Sequence, residues 1–207
     1  MRMFYFTSRE YAIKNIENQR LKIATIDKMN DPFEFYINFN RSEKMLDESE
    51  IEAVKKNYIP IMGFLCFSTK IGDPVQWAHY SDNHKGICME FEIPKKLLIK
   101  IDYRKDPISV DIDKSGWDEK FSDATTSKYQ HWSYEREYRI AVNLQSPEVV
   151  VESDLYFKKF SDDLELKNIC KGVNCKLTDS DLAIIKKADI PLTAARLDRS
   201  SYSILTD

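Results

Sequence analysis

The sequence predicts an α+β fold, a mainly antiparallel sheet with flanking helices, built as a single domain over residues 1–207. Three observations predict it. Residues 61–68, 85–93 and 136–143 carry the longest β-branched and aromatic runs, which need cover on at least one face and read as strands. Between such runs lie short segments opened by helix-capping residues, at Ser8, at Asp73-Pro74 and at Thr178-Asp179. The chain is the size of one large domain, and 43% of its residues are hydrophobic, enough for a proper core.

In chain order, residues 3–7 read as a first strand. Ser8 is placed to cap a helix over residues 9–18, with Tyr11, Ile13 and Ile16 on or near one face. Residues 21–25 alternate and return as a short strand. The run Lys28-Met29-Asn30-Asp31-Pro32-Phe33-Glu34 punctuates a turn, in which Pro32 biases Asp31 away from helix, and a helix restarts after it. Residues 42–57 are mostly charged, with Met45, Leu46, Ile51 and Val54 as a narrow apolar stripe, and predict a peripheral helix.

Residues 61–68 are nearly continuous in apolar character and predict an interior strand. Asp73 as cap and Pro74 at the first helical position then open a short helix that ends near Tyr80. Residues 85–93 give another strand, stopped by Pro94, and residues 99–104 a further one. Residues 117–128 read as helical and lead to the strand at 136–143, which is expected to be interior and to lie beside residues 62–68 or 86–93. The C-terminal part offers a strand around 168–173, a helix over 180–188 capped by Thr178 or Asp179, and strands near 192–197 and 202–205.

A formal charge of -3 gives no electrostatic footprint for bulk nucleic-acid binding and leaves room only for a local basic patch. The first residues run straight into a strand pattern without the apolar region of a signal peptide, and no run approaches ~18 apolar residues. The expectation is a cytoplasmic protein with no membrane partner. Cys66, Cys88, Cys170 and Cys175 lack Cys-x-x-Cys spacing and read as reduced and structural. His79, His84 and His131 are too few and too scattered for a metal triad, so no metal site is expected.

The chemistry concentrates around His131-Trp132-Ser133-Tyr134-Glu135-Arg136-Glu137-Tyr138-Arg139. From Glu135 onward the run alternates, with Glu135, Glu137, Arg139 and Ala141 on one side and Arg136, Tyr138, Ile140 and Val142 on the other. Such a polar row is either a solvated edge or the floor of a site. Trp132 and Tyr134 just upstream favour a site, because aromatic walls beside a carboxylate raise its pKa or aim its hydrogen bonds. Three further clusters stand apart: Tyr5-Phe6-Thr7-Ser8, Asn30 through Glu34, and Ser68 with Trp77-Ala78-His79-Tyr80. Each also has a purely structural reading, as a helix cap, a turn and a core pair at i, i+3.

Together these clusters resemble a bacterial domain-of-unknown-function family. Its marks are an early aromatic strand, Asn-Asp-Pro-x-Glu, Trp-x-x-Tyr followed by Gly-Ile-Cys, and Glu-x-Glu-Tyr-Arg, matched here by Asn30 through Glu34, Trp77 through Tyr80, Gly86-Ile87-Cys88 and Glu135 through Arg139. A more distant resemblance, in the order of parts, is to the ADP-ribosyltransferase superfamily. Phe4-Tyr5-Phe6-Thr7-Ser8 is similar to its first motif, Phe67-Ser68 through Tyr80 to its second, and Glu137-Tyr138-Arg139-Ile140 to its third, Glu-Tyr-x-Val. The first motif departs in having no basic residue at its centre, the nearest being Arg2, which leaves Tyr5 or Thr7 to hydrogen-bond a ribose or carboxamide.

The resemblance implies an ADP-ribosyltransferase-like fold and an enzyme that cleaves the nicotinamide–ribose bond of NAD, the substrate, and transfers ADP-ribose to a protein or nucleic-acid acceptor. Glu137 then stabilises positive charge on the ribose. Glu135, about 7 Å away on the same strand face by strand geometry, is the mobile, wetter group that meets the acceptor. Trp77 and Tyr80 form one nicotinamide wall over a floor that includes Glu137, Ser68 lies in the same pocket, and Arg139 pairs with Glu137 or meets phosphate. Two other functions fit the residues: a non-catalytic ligand-sensing or protein-binding module on the same scaffold, and metal-dependent phosphodiester cleavage through Asp31, Glu34, Glu135 and Glu137.

Overall fold

A computed structural model describes residues 1–31, 33, 37–41, 44, 45, 47, 49, 61–111, 113, 123 and 125–206. Strand β1 (Arg2–Thr7) leads into helix α1 (Arg9–Glu17), whose first turn is closed by Ser8 Oγ accepting from the Tyr11 amide. Ala12, Ile13 and Ile16 face the core, whereas Tyr11 is exposed. Two positions along a helix turn a side chain about 200° away, so Tyr11 cannot share the face of Ile13. β2 (Arg20–Thr25) returns beside the sheet and ends in a 3-10 turn, Ile26–Lys28.

The next stretch departs from the sequence reading. Where a helix was expected to restart after Glu34, β3 (Ile37–Arg41) is a strand and pairs with β4 (Lys44–Met45). That second strand falls inside the expected helix 42–57, most of which lies outside the described residues. Propensity in short charged segments is readily overridden by strand partners elsewhere in the chain. β5 (Met62–Ser68) and helix α2 (Pro74–Tyr80) follow as expected, α2 with Asp73 accepting from the Val75 amide.

β6 (Ile87–Glu92) starts two residues later than the apolar pattern suggests, because Asp82, Asn83 and His84 all have positive φ and turn the chain before it. Residues 99–104 split into β7 (Ile99–Lys100) and β8 (Asp102–Arg104), and β9 (Ile108–Asp111) runs parallel to β3. β10 (Ser127–Tyr129) takes the end of the segment expected to be helical and pairs parallel with β8. Most of residues 117–124 lie outside the described residues.

A six-residue 3-10 turn, Gln130–Glu135, leads to β11 (Glu137–Asn143). The hairpin of β12 (Val149–Glu152) and β13 (Leu155–Lys159) was not foreseen, and its two-residue loop has positive φ at Ser153 and Asp154, the form whose twist suits a hairpin. β14 (Glu165–Lys171), helix α3 (Asp179–Lys187), β15 (Leu192–Leu197) and β16 (Ile204–Thr206) complete the chain. Thr178 is the cap of α3, in a capping box with Asp181.

The main sheet is mixed but mostly antiparallel, in the order β12-β13-β2-β5-β1-β6-β14-β15-β16, with β14 and β15 parallel. One face is covered by α1 and α3, whose Ile13, Ile16 and Ile185 pack with Leu65, Met89, Phe91 and Ile140. On the other face Trp77 of α2 packs with Phe4, Cys88, Cys170, Ala195 and Ile204. Among the described residues no helix is long and apolar enough to cross a membrane.

The site depends on what happens along β5. One of its edges pairs with β11 over its whole length, from Glu137 opposite Ser68 to Asn143 opposite Met62. A strand has only two edges, so β1 and β2 share the other. β2 takes its beginning, with Ala24 opposite Phe64, and β1 takes its end, with Phe4 opposite Ser68. β1 and β2 therefore part company over Leu65, Cys66 and Phe67, and the sheet opens there. Gly63 permits the close approach of β2, since a side chain at that position would strike Ile23 and Leu144.

Candidate active site

The opening is a cleft of about 270 Å³ whose walls come from β1, β2, β5 and α2 and whose floor holds Glu135, Glu137 and Lys128. Its aromatic lining is Phe4, Tyr5, Phe6, Phe64 and Tyr80, and the core ring Phe67 borders it. The alternation of β5 explains the floor. Leu65 and Phe67 go to the core under α1 and α3, which leaves Phe64, Cys66 and Ser68 on the cleft side, opposite Ala141, Arg139 and Glu137 of β11.

Four charged side chains are buried together at this point. Lys128 Nζ lies 2.7 Å from Glu135 Oε2 and 3.3 Å from Glu137 Oε2, with the two carboxylates only 6% exposed and the lysine 4%. Arg139, wholly buried, donates from Nε to Glu137 Oε1 at 2.6 Å and from a terminal nitrogen to Oε2 at 3.2 Å. Two cations thus compensate two anions, the condition under which buried charge is tolerated. Lys128 also lies 4.8 Å from the centre of the Trp132 ring.

Glu135 and Glu137 reach this cluster by a different route from the one their alternation suggests. Glu135 ends the 3-10 turn and is not in the strand, and Arg136 between them has φ 47°, in the left-handed region. That residue turns outward to solvent, away from the apolar face where alternation puts it, and the chain enters β11 with Glu137 facing in. Gln76 of α2 locks the turn in place: its Nε2 lies 3.0 Å from Ser68 Oγ, 2.9 Å from the Tyr134 carbonyl and 2.8 Å from the Glu135 carbonyl. The Glu137 amide donates to the Tyr103 hydroxyl at 2.8 Å.

The two carboxyl groups are driven apart in acidity. Burial alone raises a carboxyl pKa, but at Glu137 the Arg139 guanidinium and the Lys128 ammonium outweigh it and hold the group down at about 2. At Glu135 burial wins, and the group sits above the usual carboxylate range although Lys128 and the Tyr80 hydroxyl both oppose the rise. Tyr80 donates to Glu135 Oε1 and accepts from Asn30 Nδ2 at 2.9 Å; its own pKa is pushed up by burial and by the Glu135 charge. One carboxylate is therefore held in the ionised form, and the other takes up a proton more readily than an ordinary carboxylate.

Of the residues singled out in the sequence, Tyr5, Asn30, Ser68, Tyr80, Glu135 and Glu137 line the cleft. Trp77, Thr7 and Arg139 do not line it. Trp77 is fully buried against Phe6 and donates to the Ile71 carbonyl, so it is core, because α2 points position 77 at the sheet and position 80 at the cleft. Thr7 is buried where β1 meets Ile87 of β6, and Arg139 lies beneath Glu137 with no phosphate-facing surface. Ser68 is present but committed: Oγ accepts from the Lys70 amide and lies 3.2 Å from the Lys70 carbonyl, besides its contact with Gln76.

Glu135, expected to be mobile and near water, is as buried as Glu137 and held by Tyr80 and Lys128. The metal reading is not assembled either. Asp31 is buried in a turn, accepting from the Phe33 amide, Glu34 lies outside the described residues, and Glu135 and Glu137 are tied to cations. Among the described residues no group of three or more His, Cys, Asp or Glu side chains is placed to hold a metal ion.

Sequence reasoning missed Lys128, Gln76 and Tyr103. Lys128 lies in a segment read as helix, where it had no visible partner. Gln76 had a signal in principle, as the polar residue beside Trp77 in a helix whose neighbouring positions were read as inward. The chain matches no protein-family model, no curated protein and no solved structure.

Proposed function

We propose that this cleft binds the nicotinamide–ribose portion of NAD and cleaves the bond between them, as an ADP-ribosyltransferase-like enzyme that passes ADP-ribose to an acceptor or to water. One observation carries the reading: a carboxylate held ionised by Arg139 and Lys128, Glu137, forms the floor of an aromatic-lined opening beside a second carboxylate, Glu135, of raised pKa.

When the C–N bond breaks, nicotinamide leaves with the bonding electron pair as a neutral molecule and needs no acid to assist it. The sugar carbon left behind is electron-poor, as in glycoside hydrolysis, and an ionised carboxylate near it lowers the barrier. Glu137 supplies that charge. The acceptor then attacks the carbon and surrenders its proton, and Glu135, a stronger base than an ordinary carboxylate, takes it. Phe6 and Tyr80 offer apolar ring surface for the flat nicotinamide. Incubation with NAD should release free nicotinamide, and Glu137→Gln should not; a wild-type protein that releases none with any acceptor rules the chemistry out.

A second reading, a non-catalytic ligand-sensing or protein-binding module on the same scaffold, is favoured by one feature. Both oxygens of Glu137 and the hydroxyl of Ser68 already have partners within the protein. That reading is met if NAD binds in calorimetric titration and is recovered intact.

A further inference from the structure

The main cleft is small for a dinucleotide: sites for ligands of that size usually run from about 300 Å³ upward. A second cavity of about 150 Å³ adjoins it, and Tyr5, Lys22, Ala24 and Lys28 line both. The outer wall of the second cavity is the start of β13, with Asp154, Leu155 and Tyr156. Leu21 and Ile23 of β2 are buried in the core, which by alternation turns Lys22 and Ala24 to the other face. Lys28 ends the 3-10 turn that follows.

Two features give this junction chemical character. Lys22 and Lys28 are exposed, and neither forms an ion pair or side-chain hydrogen bond with any described residue. The wall opposite is set by the hairpin loop, where left-handed Ser153 and Asp154 close two residues between Glu152 and Leu155. That loop brings the Asp154 carboxylate to the far side of the two ammonium groups, while Tyr156, opposite Ile23 in register, packs its ring on the core.

We infer that the two cavities hold one extended ligand and that the second is its nucleoside-diphosphate end. Lys22 and Lys28 meet the diphosphate as point charges at the junction, and Asp154 accepts from ribose hydroxyls. The direction in which such a ligand lies, nicotinamide end over Glu137 and diphosphate end over β2, rests on the reading proposed for the first cavity. The diphosphate subsite itself stands on the lysines and the hairpin.

The test is calorimetric titration of the full chain with ADP and, separately, with nicotinamide riboside, which has no phosphate. The double variant Lys22→Ala/Lys28→Ala should weaken ADP by about tenfold at low salt, the scale of two exposed charges, without weakening nicotinamide riboside, itself a cation, and without lowering the melting temperature. Asp154→Ala should weaken ADP and leave pyrophosphate unaffected. Failure of ADP to bind the wild type, or equal ADP affinity in wild type and double variant, overturns the inference. NAD turnover separates the two proposals. If nicotinamide is not released but ADP binds through the lysines, the chemistry fails and the diphosphate subsite stands; if NAD is cleaved with a KM indifferent to both lysines, the chemistry stands and the subsite falls.

Discussion

Glu135 and Glu137 converge on one ammonium group, Lys128 Nζ, although left-handed Arg136 between them interrupts the strand that would have set them on a common face. The carboxylates are thus neighbours through a shared cation, and loss of that cation removes a partner from both at once.

Lys128→Met should therefore destabilise the fold by roughly 3–5 kcal/mol, the cost of leaving a buried charge without its partner. Glu135→Gln on the same background should recover part of that loss, because the uncompensated carboxylate is gone. Urea unfolding of the two single variants and the double variant gives the coupling directly. Additive losses would mean that the ammonium group is not the link between the carboxylates.

The two carboxyl groups should also divide the pH dependence of stability. Glu137 has a folded pKa depressed to about 2, so its contribution is present above the ordinary carboxylate range and is lost as pH falls from that range through about 2. Glu135 has a raised folded pKa, so its contribution is full below the ordinary range and is lost as pH rises through the folded value. In unfolding measured across acid pH, the stability gap between wild type and Glu137→Gln should shrink toward pH 2. The gap between wild type and Glu135→Gln should move in the opposite direction over the pH range above the ordinary value. Parallel curves for the two variants would contradict the assignment.

Trp77 and Gly86 should act on stability alone. Trp77→Ala removes a fully buried ring and should cost about 3–5 kcal/mol. Gly86 abuts the Thr7 and Ser81 carbonyls so closely that a methyl group there collides with backbone on both sides, and Gly86→Ala should also destabilise. Ligand affinity measured on the folded fraction should be unchanged in both. A selective loss of affinity in Trp77→Ala would return that ring to the cleft.

Much of this was legible in the residues, because strand and cap signals are local. Residues 61–68, the cap at Ser8 and the Asp73-Pro74 helix start need only neighbours in sequence to be read, and of the two neighbours expected for β11, β5 and β6, the sheet uses β5. The cluster at the floor was half legible. The pairing of Glu137 with Arg139 follows from strand alternation, but Lys128 arrives from a strand whose partner, β8, lies more than twenty residues away in sequence. The opening itself was not legible at all. It exists because β1 and β2 share one edge of β5, a consequence of long-range pairing that no window of sequence contains.

The two carboxylates should divide their roles in turnover. Glu137 is ionised throughout the neutral range and fixed by two cations, so its charge is available before the C–N bond breaks; Glu137→Gln should abolish nicotinamide release. Glu135 is needed only once a nucleophile must lose a proton. Glu135→Gln should impair transfer to an acceptor and spare NAD hydrolysis, since water at high concentration attacks such a carbon with less assistance. Tyr80→Phe removes a hydrogen bond that lowers the Glu135 pKa, and so should move the rising limb of the transfer pH profile upward without changing its height. The measurements are nicotinamide release and acceptor labelling on the same samples across pH. Equal loss of both activities in Glu135→Gln and Glu137→Gln, or an unmoved limb in Tyr80→Phe, would show that the carboxylates act as one unit and not in sequence.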